Sequence, residues 1–118
     1  MSEAIYIVGG ARTPMGGLMG DLASVSAPEL GSTAIKAAVE RAHLDAAVID
    51  EVFMGCVLPA GLKQCPARQA ARYAGVPDHV GAVTVNKACG SGMQATIFGI
   101  DSIRAGTNSI AIAGGLES

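Results

Sequence analysis

The chain has no tryptophan, and its other aromatic side chains are only two Tyr and two Phe among 118 residues. A core without large rings must pack small aliphatic side chains and bring backbones close together. Charge is also scarce, with 15% Asp, Glu, Lys and Arg and a formal net charge of −2. No basic patch interleaved with aromatic residues is visible, which disfavours nucleic-acid binding. No apolar run approaches the roughly 20 residues of a membrane span. The N-terminus, "MSEAIYIVGG", lacks a basic segment followed by a long apolar stretch, so no secretory signal is expected. Cysteine is limited to positions 56, 65 and 89, an odd number whose spacing fits no zinc pattern. No metal site is expected. The three are read as reduced thiols of a cytoplasmic protein; a mature organellar protein freed of its targeting segment would look the same.

What is present is half hydrophobic and rich in glycine, with 16 Gly. That composition and length suit one small globular domain. Residues 4–10, "AIYIVGG", alternate and stop on glycines, predicting a first strand, and 11–26 read as a loop. Ser26 and Glu29 form a capping-box pattern with Pro28 in the first turn, opening a helix that runs to about residue 44. Its apolar stripe is Leu30, Ala34, Ala37 and Ala38, widened by Ile35, Val39 and Ala42. Residues 48–58 predict a second strand. Pro66 opens a second helix that Gly75 closes, and 81–86 predict a third strand. Residues 90–106 predict a third helix with Ile97, Ile100 and Ile103 on its apolar side, and 108–115 a fourth strand. The order βαβαβαβ implies an α/β fold with a mainly parallel sheet and right-handed crossovers. The chain stops at "AGGLES", where the carboxyl end of the fourth strand would contribute to a site.

The stretch "TVNKACGSGMQA" (84–95) carries the chemistry. Cys89 falls between a strand and the start of a helix, where unpaired N–H groups and the helix dipole draw a thiol toward thiolate. Gly90 and Gly92 are expected to clear space for a substrate and to allow unusual dihedrals. Backbone N–H groups beside the sulfur are expected to face a developing oxyanion. A helix terminus contributes only about 1 kcal/mol, and strong activation needs a base such as His. The chain holds only His43, near the end of the first helix, and His79, in the loop before the third strand. Both are expected to be solvated surface groups. Position alone leaves Cys89 between a small buried hydrophobe and a nucleophile; Cys56 and Cys65 are read as structural. "GSGMQA" also fits G-x-G-x-x-A, with Glu117 after the next strand, as in a dinucleotide site. The four residues Asn86 to Cys89 between Val85 and Gly90 make the turn too long for that reading.

"VNKACGSGM" closely resembles the active-site segment of thiolases, the acetyl-CoA C-acyltransferases. "IVGGARTPMG", "MGCVLPAGLKQCPARQAARYAGVP" and "RAGTNSIAIAGGLES" resemble other thiolase segments in the same order, so the similarity runs through essentially all 118 residues. The resemblance implies a thiolase-like fold, of which residues 1–118 form an incomplete N-terminal domain. It implies an acyl-enzyme on Cys89, whose backbone N–H joins an oxyanion hole, with Gly90 and Gly92 in the supporting turn. The implied reaction condenses two acetyl-CoA to acetoacetyl-CoA and CoA, or runs the reverse thiolysis. Coenzyme A thioesters are then substrates and no cofactor is required. A homodimer or homotetramer is implied, with the strand Ala82–Asn86 pairing with its mate and the loop Pro59–Cys65 approaching the partner.

Thiolases are several times longer, and their activating His and second Cys lie beyond the position of Ser118. The chain alone is therefore expected to be inactive. The alternative is a truncated or degenerate thiolase-like domain without catalysis. His43 also departs from the family, standing where Gly is common.

Overall fold

The computed structural model describes residues 3–118. Its elements are α1 (Ala27–Arg41), a single 3₁₀ turn (Ala46–Val48), β1 (Glu51–Gly55), α2 (Pro66–Tyr73), β2 (Gly81–Val85), α3 (Ser91–Arg104) and β3 (Ala111–Gly115). The three strands pair in parallel in the order β2-β1-β3. The α/β architecture with a parallel sheet is the one expected.

The crossover from β1 through α2 adds β2 on one side of β1, and the crossover from β2 through α3 carries the chain back past β1 to β3. Right-handed connections in opposite directions put α2 and α3 on opposite faces. The core divides accordingly. Val52, Met54 and Cys56 belong to one buried cluster with Ile35, Ala67, Ala70 and Ala71 of α1 and α2. Phe53 and Val85 belong to another with Ala95 of α3. Alternate residues of β1 thus serve opposite layers, as strand pleating requires.

Each helix starts and stops for identifiable reasons. The Ser26 hydroxyl oxygen accepts from the Glu29 N–H at 3.3 Å and caps α1. The Glu29 carboxylate takes the Ser26 hydroxyl at 3.2 Å, so the expected cap is present. The N-cap of α2, Cys65, makes no side-chain cap bond. Thr84 of β2 supplies it instead, its hydroxyl accepting from the Ala67 N–H at 3.1 Å. All three helices end with a left-handed residue, His43 (φ 55), Gly75 (φ 88) and Gly106 (φ 82). Each ending has the paired hydrogen bonds of a Schellman motif, such as His43 N–H to Glu40 C=O and Leu44 N–H to Val39 C=O. His43 therefore occupies a site that favours glycine.

Two expectations are corrected. Residues 4–10 join no ladder, so the expected first strand is not part of the sheet. They run near the free side of β3, and a cavity of about 360 Å³, lined by Ile5–Gly10, Ile100, Ile103 and Ile110–Ala113, lies between. Tyr6, Ile7 and Val8 are exposed. With the β3 edge a cavity away, their backbone has no strand to bond, and alternation alone is not enough to make a sheet. The apolar sides of two helices are also displaced. α3 buries Ser91, Ala95 and Gly99 and leaves Ile97 and Phe98 partly exposed. α1 buries Ala27, Gly31 and Ile35, with Leu30 only half-buried. Close approach selects the small side: a Cβ on Gly31 would stand 3.2 Å from the Ala70 Cβ and 2.8 Å from Leu116 Cδ2.

Candidate functional site

Three loops meet at the carboxyl edge of the sheet, following β1, β2 and β3. Short main-chain bonds tie them together. The Cys56 N–H donates to Val85 C=O at 2.9 Å, and the Leu116 N–H to Gly55 C=O at 2.9 Å.

Cys89 lies in the β2–α3 loop, one residue before the Gly90 N-cap of α3, and is exposed. The loop is wound tightly. The Gly90 N–H donates to Lys87 C=O at 3.0 Å and the Ser91 N–H to Ala88 C=O at 3.1 Å. Ser91 is 4% exposed. Its hydroxyl accepts from the Lys87 N–H at 2.8 Å and donates to Ala88 C=O at 2.6 Å. Asn86 Oδ1 accepts from the Ala88 N–H at 3.0 Å, and Asn86 Nδ2 donates to Val57 C=O at 3.4 Å. These bonds hold Ala88 in the left-handed region, at φ 47, where an L-residue pays about 1–2 kcal/mol.

The unusual dihedral expected of the glycines lies elsewhere. Neither Gly90, at φ −92, nor Gly92 has positive φ; the unusual dihedral belongs to Ala88. A Cβ on Gly90 or Gly92 would find its nearest neighbours at 3.5 and 3.8 Å, ordinary contacts. The glycine required by close approach is Gly55, at the end of β1. A Cβ there would stand 2.5 Å from the Ser91 carbonyl carbon and 2.6 Å from Gly92 N. The first turn of α3 thus rests directly on the β1 backbone. Of the amides beside the sulfur, those of Gly90 and Ser91 are used within the turn. That of Cys89 makes no hydrogen bond of ordinary geometry among the described residues.

The other thiols differ. Cys56 is 2% exposed, and burial, followed by the charge of Glu117, pushes its thiol up from the ordinary range. Cys65, half-buried, has its Sγ 3.3 Å from the Thr84 hydroxyl. Neither histidine is near Cys89 in the fold. His79 lies in the α2–β2 connection, at the amino edge of the sheet, and His43 follows α1 and precedes β1. Cys89 lies beyond the carboxyl edge. A five-residue strand separates the two edges by about 15 Å. Among the described residues no cluster of three or more His, Cys, Asp or Glu could hold a metal ion. No helix is long and apolar enough to cross a membrane. The 360 Å³ cavity lies along the β3 edge, away from Cys89.

Residues 5–118 match the family model described as thiolase, N-terminal domain. The chain belongs to the thiolase family. It is 54% identical over 114 residues to acetyl-CoA acetyltransferase 2 of Arabidopsis thaliana, covering 97% of this chain and 28% of that protein. It is 52% identical over 118 residues to acetyl-CoA acetyltransferase of Schizosaccharomyces pombe, covering 100% of this chain and 30% of that one. The structure superimposes with a TM-score of 0.94 on a thiolase from Ascaris suum, Acat5, solved in complex with coenzyme A. That protein is 40% identical, and the match covers 96% of this chain and 30% of the neighbour. The chain therefore spans less than a third of the length of the curated relatives it matches.

Proposed function

We propose that these residues carry the nucleophile of an acyltransferase acting on coenzyme A thioesters. The observation that carries the reading is the exposed Cys89 on a tightly held loop at the N-terminus of α3, its own N–H without a hydrogen bond of ordinary geometry among the described residues. The Cys89 thiolate attacks the acetyl-CoA carbonyl. Negative charge collects on the carbonyl oxygen, for which the Cys89 N–H is a donor. The carbon–sulfur bond to coenzyme A breaks, the coenzyme A thiolate takes up a proton, and an acetyl group remains on Cys89. In condensation, a second acetyl-CoA loses a proton from its methyl carbon and attacks this acyl group, releasing acetoacetyl-CoA and the Cys89 thiolate. In thiolysis, the same steps run backward. No cofactor beyond the thioester substrates is needed, and the names of the acetyl-CoA acetyltransferase relatives support acetyl transfer.

The Cys89 thiol and the second acetyl-CoA must each lose a proton to a base, the coenzyme A thiolate must gain one from an acid, and such general acid–base assistance is typically worth about 10²–10⁴-fold. His43 and His79 are at the wrong edge to supply it, so the chain alone does not turn over. Among the described residues β2 is an edge strand bonded only to β1, and Val83 on it is 39% exposed. That free edge supports pairing of Ala82–Asn86 with a second copy across a two-fold axis, in a dimer or a tetramer built from dimers. A relative from Gibberella zeae whose name includes "cytosolic" supports a cytoplasmic setting.

The test is a chimera in which residues 1–118 replace the matching stretch of the Schizosaccharomyces pombe relative. The chimera is expected to cleave acetoacetyl-CoA, to carry an acetyl group on the Cys89 peptide when quenched, and to lose both properties on Cys89→Ala. The isolated chain is expected to do neither at an appreciable rate. A folded chimera that stays inactive supports the degenerate-domain reading instead. Activity that survives Cys89→Ala refutes the assignment of the nucleophile.

A further inference from the structure

Glu117 is left unused by the reaction above, yet it makes a link across the carboxyl edge. Its two carboxylate oxygens accept separate backbone amides of the loop after β1. The Val57 N–H reaches Oε2 at 2.8 Å and the Leu58 N–H reaches Oε1 at 3.0 Å. The ion pairs of the described residues involve Arg68, Arg72 and Asp78, not Glu117. Its charge is therefore answered chiefly by main-chain donors, which bind a carboxylate more strongly than a neutral acceptor, with the Cys56 thiol a weak further donor to Oε1 at 3.9 Å. The loop held in this way offers the Val57 carbonyl to Asn86, and Asn86 in turn holds the amide of Ala88. Ala88 is the left-handed residue immediately before Cys89.

We propose that Glu117 is a positioning residue for Cys89, acting through the 57–58 loop and Asn86. Both carboxylate oxygens are required. A glutamine of the same shape has one acceptor oxygen, so one of the two amides loses its partner. The loop then shifts, Asn86 loses its Val57 partner, and the disfavoured conformation of Ala88 is held by the Ser91 bonds alone. Cys89 is already exposed, so loosening adds little access while weakening its alignment with the α3 terminus. Its reaction with an alkylating agent should slow. This inference rests on reading Cys89 as the nucleophile.

The experiment is a double-mutant cycle of Glu117→Gln and Asn86→Ala in the 118-residue chain. It is read by iodoacetamide labelling of Cys89 with peptide mapping, with Cys65 as the internal reference. Each single variant is expected to slow Cys89 about five-fold while leaving Cys65 unchanged, and the double variant to be no slower than the slower single. In the Glu117→Gln protein the backbone amide resonance of Ala88 is expected to move, which reports the link even if labelling rates change for another reason. An unchanged Cys89 rate, an unmoved Ala88 amide, multiplied effects in the double variant, or parallel slowing of Cys65 would overturn the proposal. The nucleophile reading fails separately, if Cys89 of the unaltered chain labels no faster than Cys65.

Discussion

Gly55→Ala is the most direct perturbation of the seat on which the nucleophile loop rests. The new methyl would stand 2.5 Å from the Ser91 carbonyl carbon, 2.6 Å from Gly92 N and 2.7 Å from Ser91 Cβ. Non-bonded carbon atoms prefer about 3.5–4.0 Å, so the first turn of α3 must retreat by about 1 Å. Ser91 cannot retreat alone, since its hydroxyl holds Lys87 N–H and Ala88 C=O. Overpacking of this kind typically costs about 1–3 kcal/mol. Alanine also narrows the unfolded ensemble, which offsets about 0.4–1 kcal/mol. The net expectation is a loss of about 1–2 kcal/mol in urea unfolding, together with a changed Cys89 alkylation rate. Gly81→Ala is the control. Its Cβ would meet only the Glu51 side chain, at 3.9 Å, so only the unfolded-state gain should remain. A Gly55→Ala protein as stable as the parent, with Cys89 reacting as before, would refute the claim that α3 is seated on the β1 backbone.

Three further outcomes are expected. His43→Gly should raise stability by about 0.5–1 kcal/mol, because the residue is exposed and left-handed and only glycine adopts that conformation freely; a lower urea midpoint would count against this. Asp50 accepts from the Ile110 N–H at 3.0 Å and the Ser109 N–H at 2.7 Å, and those bonds hold its carboxyl below the usual carboxylate range. Its contribution is present above the unfolded-state value and is lost as pH falls through the lower folded value; the acid limb of the stability profile should therefore be shallower in Asp50→Asn, and an identical limb would exclude the link. Among the thiols, native labelling should run Cys89 first, Cys65 second and Cys56 last, following exposure and the raised Cys56 thiol; early labelling of Cys56 would show that the core opens more readily than its burial implies.

Local sequence determined much of this protein. The Ser26–Glu29 pair, the prolines at helix starts and the glycines after α2 and α3 act through bonds that span only a few residues. The positions of the three helices, the three strands of the sheet and Cys89 between β2 and α3 were therefore readable, and the run of thiolase-like segments was readable with them. Only the tertiary structure decided which residues matter through distant partners. Gly55 looked like one more strand residue until Ser91 was packed on it. Thr84 caps a helix that begins 18 residues earlier in the chain, and Glu117 holds amides some 60 residues away. Residues 4–10 alternate like a strand, but a strand exists only when a neighbour's edge comes within hydrogen-bonding distance, and here the edge of β3 does not. Periodicity reports what a segment can bury; which side it buries, and against what, is set by the close approach of other segments, which no local pattern encodes.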